Sequence, residues 1–268
     1  METRGDSRWV EAGDVRLHCL RYGAGERSIV IVPGISQPAV TWEFVALELC
    51  GAHTVYVADP RGRGLSDKPA AGYGLADYAR DLAGIVRGLR LERPVVLGHS
   101  MGARIVAAFG ALNPDLRGAS IIVDPPLSGP GRDPFPVPLD VYLDALRAAK
   151  AGATADDMRP AFPTWTDAQL RIRAESLRTC EERAIVESYR GFNEEDFFGW
   201  WRTLRAPVLF LYGSDSNVVT EDMIAEVATT NPAARIRCVP DAGHVIPWDN
   251  LEAFVTEVSS FIESLPTR

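Results

Sequence analysis

Two periods of apolar residues take turns along this chain. Val15 to Tyr22 alternates in character as a half-buried strand does. Ser28 to Val32, Thr54 to Ala58, Pro94 to Leu97 and Ala119 to Val123 are short, nearly continuous apolar runs, which predict strands buried on both faces. Between them the spacing is helical: Trp42, Val45 and Leu49 within Thr41 to Cys50, then Tyr78, Leu82, Ile85 and Leu89 within Leu75 to Leu89, then Gly102 to Leu112. Late in the chain, Pro207 to Tyr212 and Arg235 to Val239 predict strands, and Thr220 to Ala228 and Asn250 to Ile262 predict helices. Strands that alternate with helices imply an α/β fold, with a mostly parallel sheet and helices on both faces. Functional residues then collect at the carboxyl ends of the strands.

One stretch breaks the alternation. Residues 125–205 contain no clear strand: a Pro- and Gly-rich opening leads into predicted helices at Leu139 to Ala151, Asp167 to Leu177 and Glu181 to Arg190. The expected organisation is a core of residues 1–124 and 206–268 with residues 125–205 inserted as a helical cap. A cap that emerges above strand ends shapes the pocket beneath it.

The punctuation between a strand and a helix carries the chemistry. Gly98-His99-Ser100-Met101-Gly102 joins the Pro94 strand to the following helix. A Gly-x-Ser-x-Gly turn in that context holds a serine hydroxyl in strained backbone above the sheet, at a helix N-terminus, as a nucleophile. Serine then needs a base, and the chain has four histidines. His18 and His53 belong to strand regions away from the carboxyl ends, and His99 is expected to project away from Ser100. His244 follows the last strand and is the expected base.

Two carboxylates compete to orient that base. After the Pro207 strand the common Gly-x-x-Asp pattern would put the acid at Ser216, whereas this chain has Asp215, one residue early. Asp124 directly follows the Ala119 strand and is favoured over Asp215, because a triad is defined by geometry and not by chain order. The oxyanion donors expected are the amides of Ile35, in the Pro33-Gly34-Ile35-Ser36 loop, and of Met101.

Composition narrows the partners. The chain has 268 residues, 46% hydrophobic, enough for one large core, and a net charge of -8, which argues against nucleic acid or an anionic membrane surface as a partner. The N-terminus lacks an apolar signal region, and no stretch approaches the length of a membrane span, so a cytoplasmic enzyme is expected. The four cysteines (Cys19, Cys50, Cys180 and Cys238) have no metal-site spacing. No metal cluster, dinucleotide loop or phosphate loop is present, so no cofactor is expected.

With Pro33-Gly34, Asp59-Pro60-Arg61-Gly62-Arg63-Gly64, the Gly98 to Gly102 turn and Gly243-His244, the chain resembles the α/β-hydrolase superfamily along essentially its whole length. The stretches Val123 to Arg132, Asp156 to Arg159, Thr164 to Asp167 and Ala242 to Asp249 resemble, more narrowly, the N-formylmaleamate deformylases of nicotinic acid breakdown and the related 2-(acetamidomethylene)succinate hydrolases. That resemblance implies an acid after the earlier strand, at Asp124, and a small carboxylate-bearing N-acyl amide as substrate. A carboxylate calls for a cation: Arg132 leads, with Arg159 and Arg104 behind it, while Arg61 and Arg63 brace their own loop. Trp165 is a candidate pocket wall, with Phe162, Trp200 and Trp201. Other reactions of the same triad, at esters or carbon–carbon bonds, and a small-ligand receptor with slow hydrolysis are the competing expectations; the oligomeric state stays open.

Overall fold

The computed structural model describes residues 3–266. Its strands are β1 (Asp6–Ala12), β2 (Val15–Tyr22), β3 (Arg27–Val32), β4 (His53–Asp59), β5 (Val95–His99), β6 (Ala119–Val123), β7 (Val208–Gly213) and β8 (Arg235–Val239). They form one sheet in the order β1-β2-β4-β3-β5-β6-β7-β8. From β4 to β8 neighbouring strands are parallel, and β2 runs antiparallel to both β1 and β4. The apolar runs explain the centre of the sheet. Ile29, Val30 and Ile31 of β3, Val95 to Leu97 of β5 and all of β6 are buried, because helices cover both faces there.

The helices are α1 (Glu43–Leu49), α2 (Leu75–Gly88), α3 (Met101–Leu112), α4 (Leu139–Lys150), α5 (Ala155–Met158), α6 (Asp167–Leu177), α7 (Glu182–Glu194), α8 (Phe197–Thr203), α9 (Glu221–Thr230), α10 (Ile246–Asp249) and α11 (Leu251–Glu263). α2, α3 and α8 pack side by side, and α1 packs against α11. The helix expected over Thr41 to Cys50 begins as a 3-10 turn, Ala39–Trp42, that runs into α1 and buries Trp42 completely.

Strand β1 has no counterpart in the sequence reading. It is an edge strand that buries only Val10 and Ala12, so its apolar signal is too short to register. The other edge, β8, exposes Arg235, Arg237 and Cys238, and its charges discourage pairing with further strands.

Between β6 and β7, residues 125–205 hold five helices and, among the described residues, no strand. α4 packs on α6 and α7, and α6 lies against the 3-10 turn that follows β3. α8 instead packs on α3 of the core, where Phe197 and Trp201 are buried. Arg104, on α3, donates to the carbonyls of Pro126 at 2.9 Å, Ser128 at 3.0 Å and Gly191 at 3.2 Å, and to that of Glu195. It thus ties the start of the segment and the end of α7 to α3. This answers for Arg104, whose charge is spent on backbone oxygens and not on a ligand.

Candidate active site

The turn from β5 to α3 explains the placement of Ser100. Its backbone has φ 55° and ψ -119°, a region that non-glycine residues rarely adopt. A Cβ at Gly98 would overlap the Gly102 carbonyl, and one at Gly102 would overlap the Val32 carbonyl, so only glycines permit so close a passage. The Ser100 amide donates to the Val123 carbonyl at 2.9 Å and anchors the turn to β6.

Asp124 leaves the end of β6 with φ 46°, its own amide donating to the Leu211 carbonyl of β7 at 2.8 Å. Its carboxylate is fully buried. Oδ2 accepts from His244 Nδ1 at 2.7 Å and from Ser216 Oγ at 2.7 Å, and Oδ1 accepts from the Gly213 amide at 3.4 Å. Ser216 is oriented by its other bonds. Its Oγ already accepts from the Val218 and Val219 amides at 3.1 and 3.2 Å, which leaves its proton for Asp124. The residue that stands where the common pattern would carry an acid therefore helps to hold an acid supplied by the neighbouring strand. Asp215 is exposed, and no hydrogen bond joins its carboxylate to His244.

A carboxylate can only accept from the His244 ring, so Nδ1 carries the proton and Nε2 is free to accept from Ser100 Oγ, which lies 3.0 Å away. His99 braces this arrangement from beneath. Burial, followed by the nearby His244, pushes its pKa down to about 3, so its ring is neutral. Its Nε2 donates to the His244 carbonyl at 2.8 Å. His18 pairs with Asp59 at 2.8 Å between β2 and β4, and His53 begins β4 at the opposite sheet end.

The loop after β3 closes the other side. Gln37 accepts from the Gly34 amide at 3.0 Å and from Trp42 Nε1 at 3.2 Å, and buried Arg63 donates from Nε to the Ile35 carbonyl at 2.9 Å. Among the described residues, neither the Ile35 amide nor the Met101 amide donates to a protein acceptor. Met101 opens α3, where the first amides have no partner inside the helix.

A cavity of about 460 Å³ lies between these strand ends and the helical segment, and Ser100, His99, His244, Gly34 and Ile35 are in its wall. Val141, Ala145 and Ala148 of α4, with Met158 and Phe162, make the facing wall apolar. Trp165 belongs to this wall and stacks on Trp248, ring centres 5.0 Å apart.

The two leading arginines lie elsewhere. Arg132 pairs with Glu226 and sits over the Phe198 ring at 3.9 Å, in a separate groove with Leu127 and Met223. Arg159 is exposed and held by Asp167 at 2.8 Å and Asp156 at 3.5 Å. Each has found an acid on the surface, which keeps it out of the cavity. The arginine in the cavity wall is Arg173 of α6, buried, with Nη1 donating to the Ser36 carbonyl and Nη2 donating to Ser36 Oγ at 2.9 Å. Its position in the apolar stripe Leu170, Ala174, Leu177 was the available signal: a charge on the buried face of a helix.

Comparisons with known proteins agree with this architecture. Residues 29–257 match the model of the alpha/beta hydrolase family. The chain is 42% identical over 258 residues to N-formylmaleamate deformylase of Pseudomonas putida, covering 95% of each. It is 29% identical to 2-(acetamidomethylene)succinate hydrolase of Mesorhizobium japonicum, over 96% of this chain and 95% of that one. The crystal structure of a Ser-to-Ala variant of N-formylmaleamic acid deformylase from Pseudomonas putida S16 superposes with a TM-score of 0.90 at 40% identity, covering 94% of this chain and 100% of that one. By its sheet, its strand-end residues and these relatives, the chain is a hydrolase that belongs to the alpha/beta hydrolase family.

Proposed function

We propose that this chain is a serine-type hydrolase that cleaves the linear C–N bond of a small, carboxylate-bearing N-acyl amide, with N-formylmaleamate as substrate and formate and maleamate as products. The observation that carries the chemistry is the hydrogen-bonded relay from Ser100 through His244 to Asp124. The substrate assignment is supported by the Pseudomonas putida deformylase, 42% identical over nearly the whole chain.

Ser100 Oγ attacks the formyl carbon as His244 Nε2 takes its proton. Asp124 keeps the ring in the productive tautomer and stabilises the imidazolium that forms. The developing oxyanion lies against the Ile35 and Met101 amides, each such donor being worth ~3 kcal/mol in the transition state. His244 then protonates the departing nitrogen, which breaks the C–N bond and leaves a formyl-enzyme. Water, deprotonated by the same ring, attacks that ester and releases formate. The nucleophile, base and oxyanion donors all come from the chain, so this route uses no cofactor or metal. Residues 125–205 act as the cap that excludes bulk water and limits the substrate to a small molecule, and the reaction belongs to the cytoplasm.

The test is formate release from N-formylmaleamate by the purified protein, beside hydrolysis of an aryl ester. Faster turnover of the amide, abolished in Ser100→Ala, is the expected result. Ester cleavage without formate release would remove the amidase assignment. Full activity in Ser100→Ala would remove the serine mechanism.

A further inference from the structure

Among the described residues five arginines are buried, and four of them are answered. Arg61 forms a two-point pair with Asp81. Arg63 donates to the carbonyls of Ile35, Arg61 and Ala184 and to two hydroxyls. Arg104 is surrounded by carbonyls, as described above. Arg117 has a free Nε but binds the carbonyls of Arg205 and Pro207 at the amino end of β7, far from the cavity. Arg173 differs from all of these. Both of its protein acceptors are on Ser36, its Nε has no partner, and no acid pairs with it among the described residues.

A guanidinium has five N–H donors in a planar fork, and a buried charge without a counter-ion is costly. The wall around this one is apolar, and the acids at the cavity margin are engaged elsewhere: Asp144 with Arg147, and Asp157 with Thr154. Burial holds the Arg173 pKa below the usual arginine value, the direction produced by a charge removed from water without an acid to offset it. We propose that Arg173 is the specificity-determining residue of this cavity, and that its guanidinium receives a carboxylate of the substrate. The inference rests on the hydrolase reading above and names the group by which that site selects its substrate class.

The position has a second consequence. Arg173 holds Ser36, and Ser36 adjoins Ile35, whose amide is one of the proposed oxyanion donors. A carboxylate that docks on the remaining donors therefore sits on the same side chain that braces the oxyanion loop. Selection of an anionic substrate and placement of its acyl oxygen then share one residue.

The experiment compares two substrates on three proteins. N-formylmaleamate and its uncharged methyl ester, which keeps the formyl amide, are assayed for formate release with the wild type, Arg173→Lys and Arg173→Met. A buried, hydrogen-bonded charge pair is strong enough for the wild type to favour the anion by on the order of 100-fold in kcat/KM. Arg173→Met should lose most of that preference, mainly through KM, and Arg173→Lys should retain part of it, because an ammonium keeps the charge but not the fork. Equal losses on both substrates would reduce Arg173 to a brace of the loop and overturn the proposal. So would a wild type that does not discriminate. If Arg173→Met does not fold, the wild-type ratio and competitive inhibition by maleate, measured with the wild type and Arg173→Lys, still decide it: unchanged inhibition in the lysine variant overturns the proposal. Absence of formate release from either substrate by the wild type would instead defeat the deformylase reading.

Discussion

The strand ends and the helical segment above them treat buried polar groups in opposite ways. At the ends of β5, β6 and β7 the hydrogen bonds around Ser100, Asp124 and His244 close, with the buried His99 Nδ1 the one ring nitrogen there left without a partner among the described residues. The Asp124 carboxylate accepts from His244, Ser216 and Gly213, Ser216 accepts from two amides, and His99 holds the His244 carbonyl. In the segment of residues 125–205, Arg173 leaves donors unused in the cavity wall. A closed circuit fixes the geometry of the groups it joins in advance, and the proposed mechanism needs that condition for electrostatic stabilisation without reorganisation. An open one leaves affinity to be realised only when a complementary group enters.

The comparison is broken most severely at its closed side. Ser100→Ala should lower kcat by roughly 10⁴-fold or more with little change in stability, since the strained turn gains no new contact and loses only a hydroxyl. Asp124→Asn should cost about 10⁴-fold, because the amide cannot hold His244 in the tautomer that accepts from Ser100. Asp215→Asn, in the exposed neighbouring loop, should stay within about twofold. Steady-state kinetics on the amide check all three. Comparable losses for the two aspartate variants would break the distinction between the buried circuit and the loop beside it.

The two regions were also unequally legible in the sequence. Ser100 and Asp124 directly follow apolar strands, and His244 lies five residues beyond β8; strand ends are where an α/β sheet gathers its chemistry, so periodicity, a glycine-framed serine and elimination among four histidines make these three the candidates. Arg173 is harder to see, because a helix at Asp167 to Leu177 does not by itself say which of its charges faces inward. An amphipathic reading counts apolar positions, and a charge inside the stripe Leu170, Ala174, Leu177 passes unremarked. Arg132 stands near the start of residues 125–205, which suggests a binding role, but its partner Glu226 lies 94 residues later, a distance no local pattern spans. Strand β1 failed to register for a related reason: its pairing with β2 is long-range backbone bonding, and only two of its side chains turn inward.

A smaller effect separates the support beneath the relay from the relay itself. His99 has its folded pKa near 3, below the ordinary histidine value, so between about pH 6.5 and 3 the unfolded chain binds a proton that the native protein does not. Its contribution is therefore intact at neutral pH and is lost as pH falls, at up to about 1.4 kcal/mol per pH unit within that window. Partly buried His53, its pKa also lowered chiefly by burial, adds to the same acid limb. His99→Asn should flatten the dependence of unfolding free energy on pH below 6.5, measured by denaturant titration at several pH values. An unchanged slope would mean that the His99 ring is protonated in the folded state, and its single-donor bond to His244 would need revision.

The smallest effects are expected where the helical segment and its neighbours satisfy their charges at the surface. Arg132 is paired with Glu226 and Arg159 with Asp156 and Asp167, all with substantial solvent exposure. Pairs so exposed add little to stability, because solvent screens them. Their partners already occupy the guanidinium donors that a substrate carboxylate would need, and neither side chain is in the cavity wall. Arg132→Ala and Arg159→Ala should therefore change kcat/KM on the anionic amide by less than about threefold and leave the preference over its ester intact, with a melting temperature close to that of the wild type. Kinetics on both substrates, with thermal unfolding as the control, sharpen the contrast with Arg173. If either alanine variant lost the anionic preference, its surface pair would have to open on substrate binding, and the open circuit would belong to that arginine instead.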